Sequence, residues 1–237
     1  MMQRARSLVL PLVSPAFWRA QLASREGRAF DRRYATDTLR CLPVAEMRAV
    51  PRELAQHAVH YEATAIPKFR QAMRVVRRAL GARLPAFSFV DIGSGKGLVV
   101  MLAARQPFRE VVGIEMEPDL HAIAERNCEN FRAGQTGLAP MRLRHADALH
   151  CELPAGDLVV YLYNPFDAVM IGRLLDRIAA VAADGREIVL VYVNPQHRAR
   201  LDADGAYTLI ASTRAACVYR RRPAKVASPT ALAGARP

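Results

Sequence analysis

The chain has 237 residues, 51% of them hydrophobic, and a formal net charge of +12. That length can bury the core of one moderate domain without covalent staples, which excludes a disulfide mini-protein, a collagen or a wholly disordered chain. No apolar run approaches the roughly 18 residues that span a bilayer, so no transmembrane segment is predicted.

Of the 34 basic residues only Lys68, Lys96 and Lys225 are lysines. They are unevenly spread: residues 1–90 have net charge +10, residues 91–213 net −4 and residues 214–237 net +6. A mildly acidic middle therefore lies between two basic flanks, which leaves contact with nucleic acid or with the surface of an anionic membrane open for the flanks. Cys41, Cys128, Cys151 and Cys217 show no metal-ligand spacing, and four reduced thiols in a cytoplasmic protein are predicted, with no metal.

Residues 1–60 read as a basic, helical N-terminal extension. Pro11, Pro15, Pro43 and Pro51 divide it, and a short amphipathic helix around Trp18 is predicted. The apolar stretch at 7–17 carries two prolines and no clean cleavage site, which argues against a signal peptide.

Regular patterning starts at Ile66. Pro67 suits a first helical turn, Ile66, Phe69, Met73, Val76 and Leu80 recur at helical spacing, and Gly81 ends the run. Beside that stripe, Arg70, Arg74, Arg77 and Arg78 read as a solvated face. Strand 87–90, helix 97–105 and strand 111–114 follow. A helix opens at Pro118 with Leu120, Ile123, Ala124 and Phe131 on one face. Next come strands 141–144 and 158–162, a helix capped by Asp167 and running to about Ala183, and a strand at 187–193. Two weaker strands, 206–211 and 217–219, have no helix between them. Alternation of this kind predicts an α/β fold: a doubly wound, mainly parallel seven-stranded sheet with an antiparallel edge hairpin. The domain is assigned to 61–222 and a disordered tail to 223–237.

The informative stretch is Asp91-Ile92-Gly93-Ser94-Gly95-Lys96-Gly97. A strand ends in an acid, and glycines then occupy alternate positions, where positive φ or close backbone approach to a ligand requires them. The pattern is not a P-loop, because Lys96 is followed by glycine and the glycine spacing is wrong. A dinucleotide site would need a third glycine where Leu98 stands, and an acid at Asp91 would face a pyrophosphate. An ammonium or sulfonium ligand, by contrast, suits that acid.

Asp-x-Gly-x-Gly-x-Gly resembles motif I of the class I, seven-stranded S-adenosylmethionine-dependent methyltransferases. The resemblance covers about residues 61–222. It implies that Asp91, Gly93, Ser94, Gly95 and Gly97 bind S-adenosylmethionine. Glu115, which ends the next strand 18 residues after Gly97, is placed to take both ribose hydroxyls, with Glu117 as the alternate. Asp147, after the third strand, corresponds to the acid that family members use for the adenine amino group. Tyr61 and Thr64 match a segment that lies over the cofactor in related enzymes; helix capping by Thr64 and core packing by Tyr61 stay open beside that reading.

Tyr163-Asn164-Pro165-Phe166, at the end of the fourth strand, stands where the family places its reacting centre. It resembles the Asn/Asp-Pro-Pro-Tyr/Phe motif of amino-methyltransferases but lacks one proline. It also resembles, more loosely, the Asn-x-Phe-like segment of seven-stranded histone-lysine methyltransferases. Tyr161, Tyr163 and Phe166 are then candidates to line a lysine channel, with Tyr161 also expected to pack in the core. Asn194-Pro195-Gln196-His197 repeats the Asn-Pro pair, and His197 is read as an exposed residue at a helix start. No Ser-His-Asp set is evident. The expected activity is N-methylation of a protein side chain, lysine favoured. The alternatives are a nucleic-acid amino-methyltransferase, an NAD-dependent oxidoreductase or a non-catalytic S-adenosylmethionine-binding protein.

Overall fold

The computed structural model describes residues 15–39, 63–163, 168–183, 185–213 and 215–221, with side chains from Ser24 onward. Tyr61, Asn164, Pro165, Phe166, Asp167, Trp18, Cys41 and the tail at 223–237 lie outside the described residues or side chains. The elements are α1 (Pro15–Tyr34), α2 (Ile66–Leu80), β1 (Ser88–Ile92), α3 (Leu98–Ala104), β2 (Glu110–Glu115), α4 (Pro118–Arg132), β3 (Met141–His145), β4 (Leu158–Tyr163), α5 (Ala168–Ala183), β5 (Ile188–Val193), α6 (Ala199–Ala203), β6 (Tyr207–Ser212) and β7 (Ala216–Arg221).

They build one seven-stranded sheet in the order β3-β2-β1-β4-β5-β7-β6. β1 pairs in parallel with β2 and β4, whereas β7 runs antiparallel to both β5 and β6. The predicted architecture and edge hairpin are both present. The chain reverses its direction of growth across the sheet at β1, between β2 and β4, and such switch points open a crevice at the carboxyl ends of the strands.

β1 extends further than its apolar run suggests. Asp91 and Ile92 belong to the strand, because β1 is central and pairs on both sides: Asp91 lies opposite Gly113 of β2 and Tyr161 of β4. Tertiary pairing has overridden the poor strand preference of an acid.

Side chains alternate between two cores, as strand geometry requires. One face carries Phe89, Val111, Val159, Tyr161 and Val191 against α2, α3 and part of α1 and α4. The other carries Val90, Ile92, Val112, Val160, Leu162 and Leu190 against α5. On α2 the residues at Ile66, Phe69, Met73, Val76 and Leu80 are all buried, while Arg70, Arg74, Arg77 and Arg78 are exposed, as the sequence pattern predicts. Ile123 departs from the predicted stripe on α4: it is only half-buried, and Asn127 and Cys128 are buried on that helix.

α1 is a 20-residue helix rather than a short one. It docks through Phe30 and Tyr34, whose rings meet Phe131 of α4 at 5.7 and 5.0 Å. Aromatic clusters of this kind bury large areas and favour tilted contacts.

Candidate active site

Residue alternation places Asp91, Glu115 and Tyr163 on the same face of the sheet, at the carboxyl ends of β1, β2 and β4. The turn after β1 is held to β2, where Ile114 O accepts the amides of both Gly93 (2.9 Å) and Ser94 (3.0 Å). Gly93, Gly95 and Gly97 all have positive φ, at 71°, 52° and 82°, conformations that side chains resist. Gly97 also lies close to α4: a Cβ there would come within 3.3 Å of Ala124. The predicted need for glycine at alternate positions is thus met in the backbone itself.

Asp91 is 4% exposed, and its carboxylate makes no hydrogen bond to the described residues. Burial, and then the charge of Glu115, pushes its pKa well above the ordinary aspartate value. Glu115 is also buried, and its two oxygens accept the amides of Gly95 (2.7 Å) and Glu117 (2.8 Å). Burial raises its pKa, while the amides of Glu117, Gly95 and Met116 pull the other way. A carboxylate offers roughly four acceptor positions, so Glu115 retains capacity for hydroxyl donors beyond these bonds.

The other candidates divide. Ser94 is buried, but its Oγ lies against Gly113 of β2 and has no hydrogen-bond partner among the described residues. Asp147 reaches the same end of the sheet, where Ala146 N donates to Glu115 O at 3.0 Å. Its carboxylate is half-exposed and is held by the Leu149 amide (2.8 Å) and His150 Nδ1 (2.6 Å). Thr64 is buried but does not cap α2: Ala65 is the N-cap residue, and no side chain bonds there. Thr64 adjoins Tyr161 instead. Tyr161 is fully buried, which raises its phenol pKa, and it packs in the core, as one of its two readings expects. His197, in the turn before α6, is half-buried rather than exposed.

Tyr163 has a neighbour that no motif announces. Lys68, in the first turn of α2, donates to Tyr163 Oη at 3.3 Å, and its ammonium lies 5.2 Å from the ring centroid. Lys68 and Tyr163 are 95 positions apart, so spacing gives no signal. Two further polar groups join the glycine turn from a distance: Asp37 after α1 and Asn127 of α4. Near Met116, His145 Nε2 meets Met116 O at 3.0 Å, and its ring stacks on His121 at 5.4 Å.

No protein-family model and no curated protein sequence matches the chain. Solved structures do. The magnesium protoporphyrin IX methyltransferase of Synechocystis PCC 6803, solved with bound S-adenosylmethionine, is 14% identical; the match covers 88% of this chain and 96% of that one with a TM-score of 0.50. The chain has the class I methyltransferase fold. An RNA methyltransferase from Salinibacter ruber, in complex with S-adenosyl-L-homocysteine, is 21% identical over 72% of this chain and 99% of its own, with a TM-score of 0.48. The T. thermophilus 16S rRNA N2 G1207 methyltransferase, in complex with AdoMet and guanosine, is 16% identical over 68% of this chain and 44% of its own, with a TM-score of 0.49. In this fold Asp91, the glycine turn and Glu115 lie together at the carboxyl ends of β1 and β2. Among the described residues, no cluster of His, Cys, Asp and Glu is arranged to hold a metal, and no helix is long and apolar enough to cross a membrane.

Proposed function

We propose that the protein is an S-adenosylmethionine-dependent methyltransferase that methylates a nitrogen of a nucleic acid. The observation that carries the cofactor assignment is Asp91, a buried carboxylate without a hydrogen-bond partner among the described residues, next to the buried Glu115. Two carboxylates in one desolvated crevice attract a cation and repel a diphosphate. S-adenosylmethionine brings an ammonium and a sulfonium; a nicotinamide dinucleotide would set its pyrophosphate against Asp91. Glu115 is suited to the ribose hydroxyls, and Asp147 to the adenine amino group.

The reaction is an in-line displacement. The acceptor nitrogen's lone pair forms the new bond to the methyl carbon as the sulfur–carbon bond breaks; S-adenosylhomocysteine leaves, and the nitrogen then loses a proton. The protein's task is alignment and exclusion of water. Asn164 is the candidate to receive the acceptor amino group through its side-chain carbonyl, with Pro165, Phe166 and Tyr163 shaping its surroundings.

The choice of acceptor departs from the lysine favoured by the sequence. Lys68 places an ammonium at the hydroxyl of Tyr163, beside the proposed reacting centre. A phosphate beside the acceptor base meets attraction there. The net +10 of residues 1–90 and +6 of residues 214–237 support the same reading.

Transfer of radiolabelled methyl groups to a cell lysate, followed by protease or nuclease digestion, tests both halves. Loss of macromolecular label on nuclease treatment is expected. Label removed by protease alone would overturn the acceptor and leave the cofactor assignment standing. Cofactor binding without any labelled product would point to a non-catalytic binding protein.

A further inference from the structure

We infer that residues 36–39, just after α1, form a strap that positions the cofactor turn, with Asp37 as a positioning residue acting through Lys96; the inference rests on the cofactor assignment above. Lys96 stands between Gly95 and Gly97, and its side chain is 3% exposed. Its ammonium donates to Asp37 Oδ2 at 3.0 Å. Taking an ammonium out of water is costly, so a carboxylate at that distance favours the buried position.

The main chains are tied as well. Asn127 of α4, itself buried, accepts the Asp37 amide (2.9 Å) and donates to both Asp37 O (3.1 Å) and Lys96 O (2.9 Å). One amide side chain thereby clamps strap, turn and helix together. Lys96 O belongs to the turn whose next amide upstream, from Gly95, holds Glu115. A shift of the strap is transmitted to Lys96, then to Gly95, and so to the carboxylate assigned to the ribose.

The strap is built to hold its shape. Asp31, near the end of α1, accepts Thr36 Oγ1 (2.7 Å), Thr38 Oγ1 (2.8 Å) and the Thr38 amide (3.1 Å). Thr38 is fully buried, and Leu39 lies so close to Gly27 of α1 that a Cβ there would approach it to 2.7 Å. The N-terminal extension is in this way part of the cofactor site's support, although its charge pattern marks it only as a basic flank.

Coupling of this kind is reciprocal: if strap docking favours the cofactor, the cofactor must favour strap docking. The test uses the full chain with S-adenosylmethionine as the probe. Hydrogen exchange of peptides covering residues 31–39 should slow when the cofactor is added. Asp37→Asn should weaken binding about fivefold or more and lower the melting temperature without ligand, because the buried Lys96 ammonium loses its charge partner; Asp37→Glu should restore part of both losses. Wild-type binding together with unchanged exchange at 31–39 and full affinity of Asp37→Asn would overturn the strap and leave the cofactor assignment intact. Weaker binding matched by a large fall in melting temperature, with no cofactor-dependent protection, would also overturn it, because the contact would then serve folding alone. No binding by the wild-type chain would overturn the cofactor assignment and the strap with it.

Discussion

The Gly95 amide donates to Glu115 Oε2 at 2.7 Å and so joins the glycine turn to the end of β2. The same carboxylate accepts Glu117 N at 2.8 Å. Glu115 therefore fixes the backbone and, in the function proposed above, would offer its remaining lone pairs to the ribose. Glu115→Ala removes both. Hydrogen bonds to charged groups contribute about 1.5–3 kcal/mol, so S-adenosylmethionine affinity should fall roughly tenfold to a hundredfold by calorimetry. Glu115→Gln keeps one acceptor oxygen and should lose less. Unchanged affinity in both variants would show that the ribose is held elsewhere.

Cofactor binding should depend on pH through Asp91. Its pKa is raised by burial first and by Glu115 second. A raised native pKa means that the unfolded chain gives up this proton more readily. The stability associated with the neutral acid is full below the ordinary aspartate value and declines as pH rises through the native one. A cationic ligand prefers the ionised form, so S-adenosylmethionine affinity should rise with pH over that window. Calorimetric titrations at a series of pH values upward from the ordinary aspartate range should show the increase, with proton release on binding. Asp91→Asn should melt higher than the wild type in the absence of ligand, bind the cofactor weakly and lose the pH dependence. A flat profile in the wild type would place the ligand's charge away from Asp91.

Gly97 combines φ of 82° with Ala124 in close approach. Gly97→Ala should cost about 1–3 kcal/mol through backbone strain. For a chain of this size each kcal/mol lowers the melting temperature by about 2–4 °C. Gly81 is a useful control: its φ is 53°, but a Cβ there meets nothing within 4 Å. Gly81→Ala should be destabilising through strain alone and should leave cofactor affinity unchanged, whereas Gly97→Ala should lower both stability and affinity.

Lys68 is the test of the acceptor assignment. Lys68→Met removes the ammonium from Tyr163 while keeping most of the aliphatic stem. Methylation of nuclease-sensitive material should fall, and its dependence on salt should weaken, since each phosphate contact contributes to the salt slope. Cofactor affinity should not change. A gain of methylation on protein in this variant would show that Lys68 selects against cationic acceptors; equal transfer to nucleic acid by variant and wild type would remove Lys68 from the acceptor site.

Much of this was written locally. The stripe on α2, the alternation of strands and helices and the three glycines each depend on a short window of residues, because helical period, strand propensity and positive φ are local constraints. The strand order β3-β2-β1-β4-β5-β7-β6 came only with the folded sheet, because the hand of a crossover does not say which strands become neighbours. The depth of Asp91 did not follow. Its place inside β1 depends on pairing with Gly113 and Tyr161, and only the paired sheet decides that an acid is buried rather than solvated. Tyr161 and Tyr163 share one face of β4, so alternation does not separate them; only depth along the strand does. Lys68 over Tyr163 was not legible either, because α2 and β4 meet only when the helix folds onto the sheet.

The sequence by itself determined the fold class and the placing of Asp91 and Glu115 at strand ends beside the glycine turn, through patterns carried by neighbouring residues. The tertiary structure alone decided which charges meet. Asp37 with Lys96 and Lys68 with Tyr163 lie 59 and 95 positions apart. At such separations no periodicity links two side chains; packing of the N-terminal helix against α2 and α4, and of α2 on the sheet, brings them together.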